Sequence, residues 1–225
     1  MAGLSGRSIL ITGGAGFIGS HLAEALVPEN DVMVFDDLST GSRDRIPDEA
    51  EFFKGDVRVG PLIDRVIEDV DLVFHEAAIV SVERSIEDPV GCHEVTVDGT
   101  LNVLDAARRA GARVVIASSA AVYGHPQAVP IPEDAPKRPT SPYGLDKHSV
   151  DEYARLYTEL YDLETVVLRY FNVYGPGQPA GDYSGVISVF LDRARRTEPL
   201  TVHGDGTQTR DFVHVDDVVQ ANRLA

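Results

Sequence analysis

Cys92 is the only cysteine in a chain of 225 residues. A single thiol has no partner to oxidise, which removes disulfide-stapled extracellular scaffolds from consideration and fits a reducing cytoplasm. Cys92 itself reads as a small buried apolar side chain. The seven histidines are scattered without ligand spacing, so no metal site is expected. No apolar run approaches the length of a membrane span. The first residues, MAGLSGRSIL, lack the basic region and apolar stretch of a secretory signal. Lysine is scarce, at positions 54, 137 and 147 only, and Lys plus Arg total 20 against 36 Asp plus Glu, for a net charge of −16. Such a surface argues against nucleic acid or an anionic membrane as partner. There are no repeats or low-complexity tracts.

What is present suits one large soluble domain. Hydrophobic residues make up 43% of the chain and mean hydropathy is −0.09, enough for a substantial core. The apolar run Ile9-Leu10-Ile11 reads as a buried parallel strand. Glycines follow at 13, 14, 16 and 19, and Phe17 to Val27 reads as a helix. Gly14-x-Gly16-x-x-Gly19 between a strand and a helix is a dinucleotide fingerprint. Glycines there permit a tight turn and a close approach of main chain to a pyrophosphate, whose charge meets the free N–H groups of the helix start. The fingerprint calls for an acid about 20 residues on, at the end of the next strand. Val32–Phe35 is that strand, and Asp36-Asp37 closes it. A carboxylate at Asp36 accepts hydrogen bonds from the adenosine ribose and repels a 2′-phosphate, which favours NAD over NADP. Arg43 comes too late in the chain to reverse that preference.

Strand and helix patterns then alternate. Strands are expected at 51–54, 72–74, 113–117 and 165–169, and helices at 59–68 and 90–109, the latter closed by Gly111. Six prolines from Pro126 to Pro142 mark 124–140 as a long surface loop. Ser141-Pro142 has the form of an N-cap and first helical residue, opening a helix to about Tyr161. Beyond Asn172 the pattern loosens: loops at Gly175-Pro176-Gly177 and Gly181-Asp182, a helix at 186–195, a short strand at Leu200-Thr201-Val202, another at 212–214, and a helix from Val215 to the last residue. The alternation predicts an α/β fold, a Rossmann-type doubly wound parallel sheet. Residues 1–171 form the NAD-binding domain in this reading, and 172–225 the beginning of a smaller substrate-binding region.

A second constellation is Ser119, Tyr143 and Lys147. Tyr143 and Lys147 are spaced i, i+4 and share one helix face. An ammonium near the phenol is expected to lower its pKa from about 10, suiting Tyr143 as a general base. Ser119, at the carboxyl end of the fifth strand, can hold the oxygen being oxidised.

With these residues the chain resembles the extended short-chain dehydrogenases/reductases, specifically the sugar-nucleotide epimerases. The likeness runs through Thr12–Gly19, Gly55-Asp56-Val57, His75-Glu76-Ala77-Ala78, Ser118–Gly124, Tyr143–Lys147, Leu168–Pro176 and Arg210–Asp217. It implies that Gly13, Gly16, Phe17, Ile18, Gly19, Asp36 and Asp37 hold NAD, that Asp56 and Val57 hold its adenine, and that Ala77, Ala78 and Tyr170 line its cleft. Lys147 would also hold the nicotinamide ribose. It implies that Ser81, Ser119, Tyr143, Asn172 and Arg210 contact a nucleotide-sugar substrate, UDP-linked, and that the chain forms a homodimer. The activity implied is 4-epimerisation with transient oxidation at C4. Relatives carry asparagine where Thr96 stands, and they run on well past this length, so the chain reads as the greater part of such an enzyme. A 4,6-dehydratase or decarboxylase of the same family is the runner-up, but those place acids just after the catalytic Ser/Thr, where this chain has Ala120 and Ala121. A non-catalytic, truncated NAD(H)-binding relative is the third reading.

Overall fold

The computed structural model describes residues 4–178, 185–202 and 204–225. Six strands, β1 Ser8–Thr12, β2 Asp31–Asp36, β3 Glu51–Lys54, β4 Leu72–His75, β5 Arg113–Ser119 and β6 Thr165–Tyr170, form one sheet in the order β3-β2-β1-β4-β5-β6. Every neighbouring pair is parallel. The order reverses between β1 and β4, so a crevice opens beyond the carboxyl ends of those strands. Helices α1 Phe17–Leu26, α2 Gly60–Ile67, α3 Val82–Glu87, α4 Pro89–His93, α5 Gly99–Ala110, α6 Pro142–Tyr161, α7 Val186–Arg195 and α8 Val215–Leu224 complete the fold with β7 Asn172–Tyr174 and β8 Phe212–His214.

The strands are apolar on both faces because both are covered. Alternate residues Ile9, Ile11, Val34 and Phe74 pack with Leu22 and Leu26 of α1 and Val219 of α8. The intervening Leu10, Phe35, Val73, Val114 and Ile116 pack with Ile63 of α2, Leu104 of α5 and Val150 of α6. Each such buried side chain contributes about 2 kcal/mol. Cys92 is buried, as expected.

Four features differ from the sequence reading, the first being the unforeseen helix α3. The expected helix over 90–109 is α4, a five-residue π turn at Glu94–Asp98, then α5, which Gly111 ends at φ 74°. Leu200-Thr201-Val202 does not form a strand. A strand needs a ladder partner, among the described residues β7 and β8 pair only with each other, and Leu200 and Val202 stay about half exposed. Conversely β7, unforeseen, forms because β8 lies alongside it in register, Asn172 opposite Phe212. The expected loop at Gly181-Asp182 lies outside the described residues.

Candidate active site

The turn after β1 is shaped by backbone. Gly13 has φ 68°, and a Cβ there would sit 2.7 Å from the Ala77 nitrogen. Its N–H donates to the Phe35 carbonyl at 2.8 Å and its carbonyl accepts from Gly16 at 3.0 Å. Gly16 caps α1 without a side chain, so no capping side chain takes the first-turn N–H groups at Phe17, Ile18 and Gly19, as an anion site requires. This main-chain cradle fits a dinucleotide pyrophosphate.

Asp36 ends β2 beside that turn. Its Oδ2 accepts from Ala15 N at 3.0 Å and its Oδ1 from Leu38 N at 2.8 Å. Burial pushes its carboxyl up, against those two hydrogen bonds. Each oxygen keeps a lone pair for a ribose hydroxyl. Arg43 is turned aside, its guanidinium 5.1 Å over the Phe52 ring. Asp37 is exposed and caps Ser39 N at 2.8 Å. Asp56 is held by Arg58 at 2.6 Å, which keeps its carboxyl below the usual range. Val57 is buried, and its carbonyl accepts from Asn102 at 2.9 Å.

Ser119, Tyr143 and Lys147 come together at the carboxyl end of β5. Ser141 caps α6 by accepting from Gly144 N at 3.1 Å, with Pro142 at the first position. Ser85 of α3 accepts from Tyr143 N at 3.1 Å, so two serines fix the turn that carries the phenol. Ser119 accepts from Ala121 N at 3.2 Å. Lys147 is buried and donates to the Ala117 carbonyl at 2.7 Å. The electrostatics differ from the sequence expectation. Burial holds the Tyr143 phenol above its ordinary value, and the neighbouring Ser119 hydroxyl acts the other way. Lys147 is itself drawn down to about 8 by burial, against the carboxylates of Glu76, Asp151 and Asp146. The ammonium is spent on Ala117 and on acids rather than on the phenol.

Ala77 and Ala78 follow β4, and Ala77 N donates to Thr12 Oγ1 at 3.4 Å. Glu76, overlooked as a site residue although it stands inside the His75–Ala78 motif, accepts the Tyr170 hydroxyl at 2.9 Å. No local pattern marks such a partner, because Tyr170 is 94 residues away. Thr96 is buried in the π turn, where its carbonyl accepts the Thr100 hydroxyl.

Ser81 caps α3, accepting from Arg84 N at 3.0 Å. Asn172 and Arg210 lie apart from Tyr143 in their own cleft of about 100 Å³, shared with Tyr174, Gln178 and Phe212. Asn172 Nδ2 donates to the Asp211 carbonyl at 2.8 Å. The exposed Arg210 donates to the Thr209 carbonyl at 2.8 Å.

Comparison with known proteins identifies the family. The model of the NAD dependent epimerase/dehydratase family matches residues 9–225. The UDP-glucose 4-epimerase of Mycolicibacterium smegmatis is 40% identical over 221 residues, covering 94% of this chain and 71% of that protein. The Thermotoga maritima UDP-glucose 4-epimerase, solved with UDP-glucose, superposes with a TM-score of 0.94 at 36% identity, over 96% of this chain and 72% of that one. The Thermus thermophilus UDP-glucose 4-epimerase, solved with NAD, gives 0.91 at 40% identity, over 97% and 74%. With a Gly-rich turn feeding α1, an acid closing β2 and a serine, tyrosine and lysine gathered where β5 ends, this chain belongs to the NAD dependent epimerase/dehydratase family.

Proposed function

We propose that the chain is a nucleotide-sugar 4-epimerase of the UDP-glucose/UDP-galactose type. The observation that carries the reading is the half-buried Ser119 and the buried Tyr143 gathered at the end of β5, with Lys147 one turn along and the neutral Ala120 and Ala121 beside it. The Gly13–Gly19 turn, Asp36, Asp56, Val57, Ala77 and Ala78 would hold NAD, which when bound would supply reversible hydride acceptance at C4. Ser119 holds the C4 oxygen and Tyr143 takes its proton. On reduction Tyr143 gives the proton back, so the tyrosine ends as it began. Lys147, on the same face of α6 and bonded to the Ala117 carbonyl, would hold the nicotinamide ribose. Residues 172–225 carry substrate recognition, with Asn172 and Arg210 holding the diphosphate, the arginine as a charge-assisted donor. Dehydratase or decarboxylase chemistry is the second reading. Ala120 and Ala121 disfavour it, since neither can move a proton.

Incubation with UDP-glucose, UDP-galactose and their N-acetylated and uronate counterparts, followed by chromatography, tests the reading. Interconversion of a C4 pair is expected. Tyr143→Phe should keep NAD binding by titration and lose about two to four decades of turnover, the usual worth of a positioned base. Loss of water or carbon dioxide instead of epimerisation would overturn the assignment, and near-normal turnover by Tyr143→Phe would overturn the mechanism.

A further inference from the structure

Arg169, on β6, lies opposite Ser118 of β5 in the register of the sheet, and its guanidinium reaches three separate stretches of chain. Nε donates to Asp151 Oδ2 at 2.7 Å. One Nη donates to the Tyr123 hydroxyl at 2.8 Å and to the Glu133 carbonyl at 2.9 Å. Asp151 and Tyr123 are both buried, and the arginine side chain is 24% exposed.

The two side chains that Arg169 joins stand at matching places. Tyr123 ends the short helical turn Ala120–Tyr123, directly after Ser119 and β5. Asp151 is one turn beyond Lys147 on α6. Glu133 belongs to the proline-rich loop that connects those two elements, and its carbonyl also accepts from Lys137 Nζ at 2.9 Å. A single guanidinium therefore bonds the segment that carries Ser119, the helix that carries Tyr143 and Lys147, and the loop between them. Nearer the phenol the same two elements touch directly. Lys147 donates to the Ala117 carbonyl, and a Cβ on Gly144 would sit 2.8 Å from the Ala121 carbonyl oxygen. Contacts at one end leave a helix free to pivot. The Arg169 bonds give α6 a second attachment further along its length. A planar guanidinium, with its donors in fixed directions, sets angle as well as distance.

We propose that Arg169 is a positioning residue. It fixes α6 against the Ser119 segment at a second point, so that Tyr143 and Ser119 meet the same substrate oxygen. Its catalytic meaning rests on the reading of Ser119 and Tyr143 given above. The attachment itself does not, and it is measured without substrate. Reacting groups misplaced by about 1 Å lose on the order of a hundredfold in rate.

The experiment compares four variants of the full chain with the parent. Tyr123→Phe deletes one hydroxyl and leaves Arg169 paired with Asp151. An arginine that served only to offset the buried Asp151 charge would make this variant behave as the parent. Instead kcat should fall about tenfold, for a displacement smaller than 1 Å. KM for the sugar nucleotide should stay near the parent's, since Asn172 and Arg210 lie in a separate cleft. Arg169→Lys keeps the charge and loses the fork, so it should be slow as well. Arg169→Met should lose about a hundredfold in kcat, and it also strands the Asp151 carboxylate. Adding Asp151→Asn removes that stranded charge. The double variant should regain most of the parent's denaturant midpoint and none of its kcat. The attachment is read from the rate of tryptic cleavage after Lys137 under conditions where the global fold persists. Cleavage should be faster in Tyr123→Phe and in Arg169→Met than in the parent, and Tyr123→Phe carries the test if Arg169→Met does not fold. Parental kcat in Tyr123→Phe, recovery of kcat in the double variant, or unchanged cleavage overturns the inference and leaves the epimerase reading intact. A parent that epimerises nothing overturns that reading instead, and the cleavage rates then decide the attachment alone.

Discussion

His75 and Glu76 are neighbours in the chain, yet one bonds to α5 and the other to a residue held by α8. The His75 tautomer follows from its partners. Thr100 donates its hydrogen to the Thr96 carbonyl, so its oxygen accepts from His75 Nε2 at 2.9 Å, and Nδ1 accepts from Thr12 at 2.7 Å. Burial takes the imidazole down to about 3 and the Glu76 carboxyl up to about 7. The two act oppositely on stability. Below about 6.5 the unfolded histidine takes a proton that the folded one refuses, so His75 costs stability as the pH falls. Glu76 binds its proton more tightly when folded, so over roughly pH 4.5 to 7 it adds stability as the pH falls. The pair nearly cancels between about pH 4.5 and 6.5. Glu76→Gln removes one side of that balance. Its thermal or denaturant midpoint should then fall more steeply on acidification, by up to about 1.4 kcal/mol per pH unit. Parallel pH profiles for parent and variant would show that Glu76 ionises as an ordinary surface acid. The backbone roles of Gly13 and Asp36 could be read from spacing, since they are local. Glu76, Ser85 and Asn222 could not, because their partners come from other strands and helices.

At the scale of elements, α6 decides most. Ser141 and Pro142 announced its start, and the observed cap is the one the dipeptide implies. Ser141→Ala removes a buried-end hydrogen bond and should cost about 1 kcal/mol by denaturant unfolding. It should also lower turnover, since Tyr143 stands in the first turn. If stability is unchanged, the Ser85 bond to Tyr143 N holds the turn alone. The π turn at Glu94–Asp98 was invisible in the sequence, because its residues carry an ordinary helical pattern and the extra residue per turn is stabilised by tertiary packing. The short apolar run at Leu200–Val202 shows the opposite case, since without a neighbouring strand it has no ladder to join.

For the whole molecule, we propose a homodimer through α5 and α6. On α6, Leu145, Tyr153, Leu160 and Tyr161 recur at seven- or eight-residue spacing and remain exposed, Leu160 at 65%. Such a stripe along a 20-residue helix is the kind of surface that a second copy covers. Light scattering at micromolar concentration should give twice the chain mass of 24.4 kDa, and Leu160→Glu with Tyr153→Glu should return it to one copy. A monomeric parent would refute the proposal.

Composition and pattern by themselves determined the doubly wound sheet, the Gly-rich turn, the acid that closes β2 and the Ser119, Tyr143 and Lys147 set. Strands buried on both faces, a glycine-dependent turn and an i, i+4 pair are all written in residues close together along the chain. Only the tertiary structure decided how the charges in that site are shared. It gave the Lys147 ammonium to Ala117, Asp151 to Arg169 and Asp146 to His93, and it joined Glu76 to Tyr170 and through it to Asn222. Burial and the distance between groups far apart in sequence set those allegiances, and neither exists until the sheet has closed over them.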